Sequence, residues 1–173
     1  KIKVSVLTLD SESKLSNTST STMKENIAEY LSDYRMINDY IDVSNGKIIN
    51  IGIDVDLVVE RGSSQSEVIS GVNSVIVNYM DINKWQMGDN VYISQLIESI
   101  SSVAQVLNVI DIRVFNKVNG EYSTNEISQP YVNNDSDLRE IDLLDSYLLY
   151  GEPDGMFEIK YPSKDVRIRI KTT

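Results

Sequence analysis

The residues best suited to chemistry in this chain are carboxylates. Asp54, Asp56 and Glu60 recur along one alternating stretch, and residues i and i+2 of a strand share a face. That spacing could supply a carboxylate pair for glycoside-type acid/base work. The same three residues stand opposite an unbroken aliphatic row, Ile49, Ile51, Ile53, Val55 and Leu57, for which a solvated outer face is the ordinary explanation. A second oxygen-rich run, Asn133 to Asp137, could hold calcium through Asp135 and Asp137. It lacks the sixth-position glycine and closing glutamate of an EF-hand loop, and Asp137 with Glu140 reads equally as a helix cap. Arg167, Arg169 and Lys171 gather positive charge on the polar side of a terminal strand; they serve either as a solvated face or as salt-bridge donors toward an acidic neighbour. Trp85, the sole tryptophan, lies in a turn between two helices with Tyr92 nearby. It is either a packing plug or, with Tyr92, an interaction anchor.

What is missing narrows the chemistry further. The 173 residues contain no Cys and no His. Thiol nucleophiles, imidazole bases, disulfides and Cys/His zinc sites are therefore excluded, and no cofactor motif is present. Twenty-six acidic against sixteen basic residues leave a net charge of -10. Such a chain is repelled by phosphate backbones and anionic lipid, so nucleic acid and membrane surfaces are not expected partners. No apolar run reaches the roughly 18–20 residues of a membrane span, and no leader segment is recognisable. The first residue is Lys1 rather than Met, which points to a fragment of a longer protein.

The elements that would position these residues follow from periodicity. Ile2 to Leu9 alternates as a strand, Ser11 to Ser21 reads as a solvated loop, and a capping box at Thr22 to Glu25 opens a helix. That helix carries Met23, Ile27, Tyr30, Leu31 and Tyr34 on one face and stops near Arg35. A short strand is predicted over Ile37 to Val43, a tight turn at Asn45–Gly46, and a long strand from Lys47 to Glu60. Ser64 to Glu67 forms a second capping box, followed by the stripe Val68, Val72, Val75, Ile76 and Tyr79. A third amphipathic helix, Ile93 to Leu107, runs into a strand over Ile110 to Val114.

At an offset of 45, Met23, Ile27, Tyr30, Leu31 and Tyr34 fall on Val68, Val72, Val75, Ile76 and Tyr79; a duplication and a shared helical period both account for this. From Asn119 the texture is polar, and Tyr122 to Asp137 reads as an excursion over the surface. Leu138 to Tyr150 fits a short helix or two short strands. Phe157 to Tyr161 and Val166 to Ile170 alternate, and their short connection predicts an antiparallel terminal pair. The expectation is an α+β fold: a core of two strand–helix units plus a third helix and strand over 1–118, then the polar excursion and strand pair over 119–173.

Part of this pattern resembles a known family. The strand Ile49 to Leu57, the helix with Val72 and Tyr79, then Gly88-x-x-Val91-x-x-Ser94-x-Leu96-x-x-x-Ile100-x-x-Val103 and Val109-x-x-Ile112-x-Val114 resemble the C-terminal region of baseplate J-like and baseplate-wedge proteins of contractile phage tails. The upstream strand–helix unit and Phe157 to Ile168 are similar to the wedge proteins of T4-like phages. Where the family commonly has a glycine after the third helix, Leu107-Asn108-Val109 stands here. The resemblance implies a non-enzymatic virion subunit, assembled in the bacterial host cytoplasm, that pairs as a homodimer and joins other baseplate subunits into a ring. Trp85, Tyr92, Arg167 and Arg169 are the interface candidates. A different class remains beside it: a carbohydrate-binding or adhesin-like module, calcium-assisted through Asp135 and Asp137.

Overall fold

The structure is a computed structural model that describes residues 1–34, 36, 39–132, 139–143 and 147–171. In chain order the elements are β1 (Ile2–Val6), β2 (Thr8–Leu9), β3 (Leu15–Ser16), α1 (Ser21–Ser32), β4 (Ile41–Asn45), β5 (Lys47–Val59), α2 (Gln65–Tyr79), a 3-10 turn (Ile82–Lys84), β6 (Val91–Tyr92), α3 (Ile93–Ser101), β7 (Val106–Lys117), β8 (Leu148–Leu149), β9 (Gly155–Glu158), α4 (Pro162–Asp165) and β10 (Val166–Ile170). The chain is α+β, with a mixed sheet of parallel and antiparallel strands. It divides into two compact units at Ile48/Ile49, not at residues 118/119 as expected. The reason is that residues 119–173 complete the core begun by β5: Ile127, Ile141, Leu143, Leu149 and Phe157 all join its buried cluster.

In unit 1, β1 and β4 pair in parallel, from Ile2↔Ile41 to Val6↔Asn45, with α1 as the crossover. Thr20 caps α1 by accepting from the Met23 N–H. The Ser/Thr run before Met23 offers several caps, and the one used lies two residues ahead of the capping box read at Thr22. The stretch expected as loop contains β3, which pairs antiparallel with β2. At Asn45–Gly46 no hairpin forms. The Gly46 N–H donates to the Val6 carbonyl at 2.8 Å, extending the β1–β4 ladder. Of the expected Ile37–Val43 strand, Ile37 lies outside the described residues and the strand begins at Ile41.

Unit 2 is organised around β5. The inner row Ile49, Ile51, Ile53, Val55 and Leu57 is fully buried beneath Val68, Val72 and Ile76 of α2 and Ile93, Leu96 and Ile100 of α3. Each such side chain contributes roughly 1.5–3 kcal/mol. β7 lies antiparallel to β5, with Ile53 opposite Val114 and irregularities at Asp56/Leu57 and Val58/Val59. α3 ends at Ser101, earlier than expected. Gln105, at φ 71, makes the reversal, so Leu107 belongs to β7. The terminal strands β9 and β10, expected to pair with each other, both take β5 as partner, and β10 runs parallel to it from Val166↔Ile53 to Ile170↔Leu57. A hairpin needs a reversal, whereas the chain between them makes the single helical turn α4.

Candidate functional site

Alternation along three strands sets a ladder of charges on one face of the unit 2 sheet. Asp54 lies opposite Arg113 on β7 and Arg167 on β10, and Asp56 lies opposite Asp111 and Arg169. The Arg169 guanidinium donates to Asp54 at 3.1 Å and pairs with Asp56 at 3.0 Å; Lys171 reaches Asp56 at 2.8 Å and Arg113 approaches it at 3.7 Å. Asp56 is only 5% exposed. The Lys171 ammonium, seconded by Arg169 and Arg113, holds its carboxyl below the usual value against the opposing effect of burial. A glycosidic general acid requires the opposite, a carboxyl kept protonated near neutral pH. Asp56 is therefore built to stay ionised within an ion-pair network. Glu60 lies beyond the end of β5 and is exposed.

The other half of that face is covered, contrary to the expectation of a wholly solvated side. Asn50 is 1% exposed: it donates to Glu158 at 2.9 Å and accepts the Ser123 N–H at 2.8 Å. Asn116 bonds the Asn50 carbonyl, the Ile127 N–H and the Tyr131 hydroxyl. Asp165, 2% exposed, accepts from the Tyr122 hydroxyl at 2.6 Å and the Tyr161 N–H at 2.8 Å. These polar groups anchor residues 121–131 to the sheet, so the predicted excursion is partly a tether. Alternation marks Asn50 as outward-facing, but a cover arriving some seventy residues later leaves no local signal.

Trp85 is half-buried. Its indole N–H donates to the Tyr79 carbonyl at 2.8 Å, at the C-terminus of α2, and its ring meets the Tyr79 ring edge-on at 5.5 Å. The Tyr79 hydroxyl in turn donates to the Tyr92 carbonyl. Lys84 caps the same helix end through the Asn78 carbonyl at 2.7 Å. Trp85 thus packs the α2–α3 connection, whereas the Tyr92 side chain is 45% exposed. Arg167 is exposed and carries none of the ion pairs above; Arg169 is committed to Asp54 and Asp56. Of the four, Trp85 and Arg169 are engaged within the fold, while Tyr92 and Arg167 are exposed.

An open apolar feature lies in unit 1. No residue of α1 is buried. Lys24, Ile27, Ala28, Leu31 and Ser32 are half-buried, while Met23, Tyr30 and Tyr34 are 41%, 65% and 74% exposed. The Tyr30 and Tyr34 rings touch at 5.4 Å, and Met23, Ile27, Tyr30 and Leu31 line a shallow groove with Thr20 and Asn26. At the offset-45 positions of α2, Val68, Val72 and Ile76 are 0–2% exposed and Val75 and Tyr79 half-buried. Each position is more deeply covered in α2 than its counterpart in α1 or just past its end.

Asp135 and Asp137 lie outside the described residues. Among the described residues, no group of three acidic side chains is arranged to hold a metal ion, and no helix is long and apolar enough to cross a membrane. A scan of protein-family models and a search of curated proteins return no match to this chain.

Proposed function

We propose that this chain is a structural subunit of a contractile-tail baseplate, working through contacts with other baseplate subunits and with a second copy of itself in the assembled state. The observation that carries the reading is the apolar stripe of α1, continued by Tyr34 just past the helix end. Amphipathic periodicity that could have closed a core instead leaves Met23, Tyr30 and Tyr34 open, as a subunit with an assembly surface requires. The carboxylates of unit 2 support the same reading, because Asp54 and Asp56 are engaged by Arg169 and Asp165 by Tyr122. The resemblance in hydrophobic spacing supplies the specific assembly. Tyr92 and Arg167, both exposed, are the contact candidates of unit 2.

Immunogold labelling of intact tail particles from the producing bacterium tests the proposal. Antibody against this chain should decorate the end of the tail distal to the head. Particles that remain unlabelled there, with the chain recovered free in the lysate, would overturn it.

A further inference from the structure

We infer that the α1 stripe receives an apolar, basic-rimmed helix from a different protein. This rests on the assembly reading and names the chemistry of one partner within it. The apolar centre is Met23, Ile27, Tyr30 and Tyr34. An aromatic side chain offers about 150–250 Å², so the two tyrosines with Met23 supply several hundred Å². That is the apolar centre expected within the roughly 800 Å² per partner of a standard interface.

Charge selects the occupant. Glu25, Glu29 and Asp33 recur at i, i+4 and i+8, all exposed. At roughly 100° per residue, Glu29 and Asp33 flank the Tyr30 side of the stripe about 60–100° around the helix. The other flank is half-buried and carries Lys24, Ala28 and Leu31, on a helix that packs against β4. The open flank of the stripe is therefore acidic, and lysine or arginine on the partner helix meets it. A second copy is disfavoured: a two-fold antiparallel pairing of α1 sets acidic rim against acidic rim, between chains each carrying a net charge of -10. Any pairing of copies then uses another surface.

Two synthetic helical peptides with the same leucine face, one rimmed with lysine and one with glutamate, test this on the full chain at physiological salt. The lysine peptide should bind at least tenfold more tightly and slow amide exchange over residues 21–34. Tyr30→Ser with Tyr34→Ser, which leaves the charge unchanged, should weaken it at least tenfold with unaltered circular dichroism. Glu25→Lys with Glu29→Lys and Asp33→Lys should reverse the preference.

Equal binding of both peptides, or binding indifferent to the tyrosine pair, would overturn the inference. So would sedimentation as a dimer that the tyrosine variant dissociates, or slow exchange of α1 in the free monomer, which would mark the chain's own cover. Normal tail incorporation of the tyrosine variant would sink this inference and leave the assembly reading standing. Absence of the wild-type chain from tails would sink that reading and leave the peptide preference intact.

Discussion

The Tyr122 hydroxyl donates to the Asp165 carboxylate at 2.6 Å, joining the segment after β7 to the α4 turn that precedes β10. The second Asp165 oxygen holds the Tyr161 N–H at 2.8 Å, and the Tyr122 and Tyr161 rings meet edge-on. Asp165 is nearly inaccessible to water. Tyr122→Phe should therefore destabilise the chain by about 1–3 kcal/mol, because a buried carboxylate loses one of its two hydrogen-bond donors. Urea unfolding followed by the Trp85 signal measures it.

The same bond gives a dependence on alkaline pH. Burial, then the hydrogen bond and charge of Asp165, raise the Tyr122 phenol above its ordinary value. A group whose folded pKa is raised contributes stability that is complete below the unfolded value and is lost as pH rises toward the folded one. Stability should fall above about pH 10, and Tyr122→Phe should flatten that fall. An unchanged slope in the variant would rule out Tyr122 as its source.

Asp56 gives the complementary dependence in acid. Its lowered pKa contributes stability above the ordinary carboxylate range, lost as pH falls through the folded value. Arg169 and Lys171 are half-exposed, so solvent screens the network and its contribution is about 1–2 kcal/mol. Asp56→Asn should lower stability by about that amount and reduce the acid dependence below pH 4. A double-mutant cycle with Arg169→Gln measures the coupling.

Gly151 provides a test of packing. A β-carbon there would strike the backbone carbonyl oxygens of Gly88 and Asp89, and neither is the end of a flexible side chain. Gly151→Ala should cost more than about 2 kcal/mol, displacing a thermal midpoint by several degrees. Gly62→Ala, at a left-handed position with open space around it, should cost only about 1–2 kcal/mol.

The two helices related by the offset of 45 should respond differently to truncation. Ile76→Ala, inside the core, should cost about 2–5 kcal/mol. Tyr30→Ser, on a side chain 65% exposed, should stay within about 0.5 kcal/mol. Comparable losses at both positions would mean that the α1 stripe is already covered.

These contrasts mark how far the fold was legible beforehand. The strand β5 was plain from alternation, because each inward residue is an aliphatic that the core needs. Helix α2 began at the expected Ser64 cap, although that side chain bonds Ser66 rather than a helix amide. Periodicity identified the α1 stripe but not its exposure, since spacing defines a face without saying what meets it. The turn at Gln105 was hidden because nothing in a glutamine announces a positive φ. Nor could local pattern reveal Asn50, Asp165 or the charge ladder: their environments come from strand partners and covers distant in the chain. Arg169 looked available for a neighbour until the parallel register of β10 brought it to Asp54 and Asp56.

Hydroxyl-radical footprinting of purified tails against the free chain tests the role of α1 most directly. Met23, Tyr30 and Tyr34 should oxidise readily in the free chain and be protected in the particle, while Tyr147, 46% exposed, serves as an internal comparison. Equal oxidation of the three residues in both states, or no trace of the chain in the tails, would contradict a subunit that assembles through this helix.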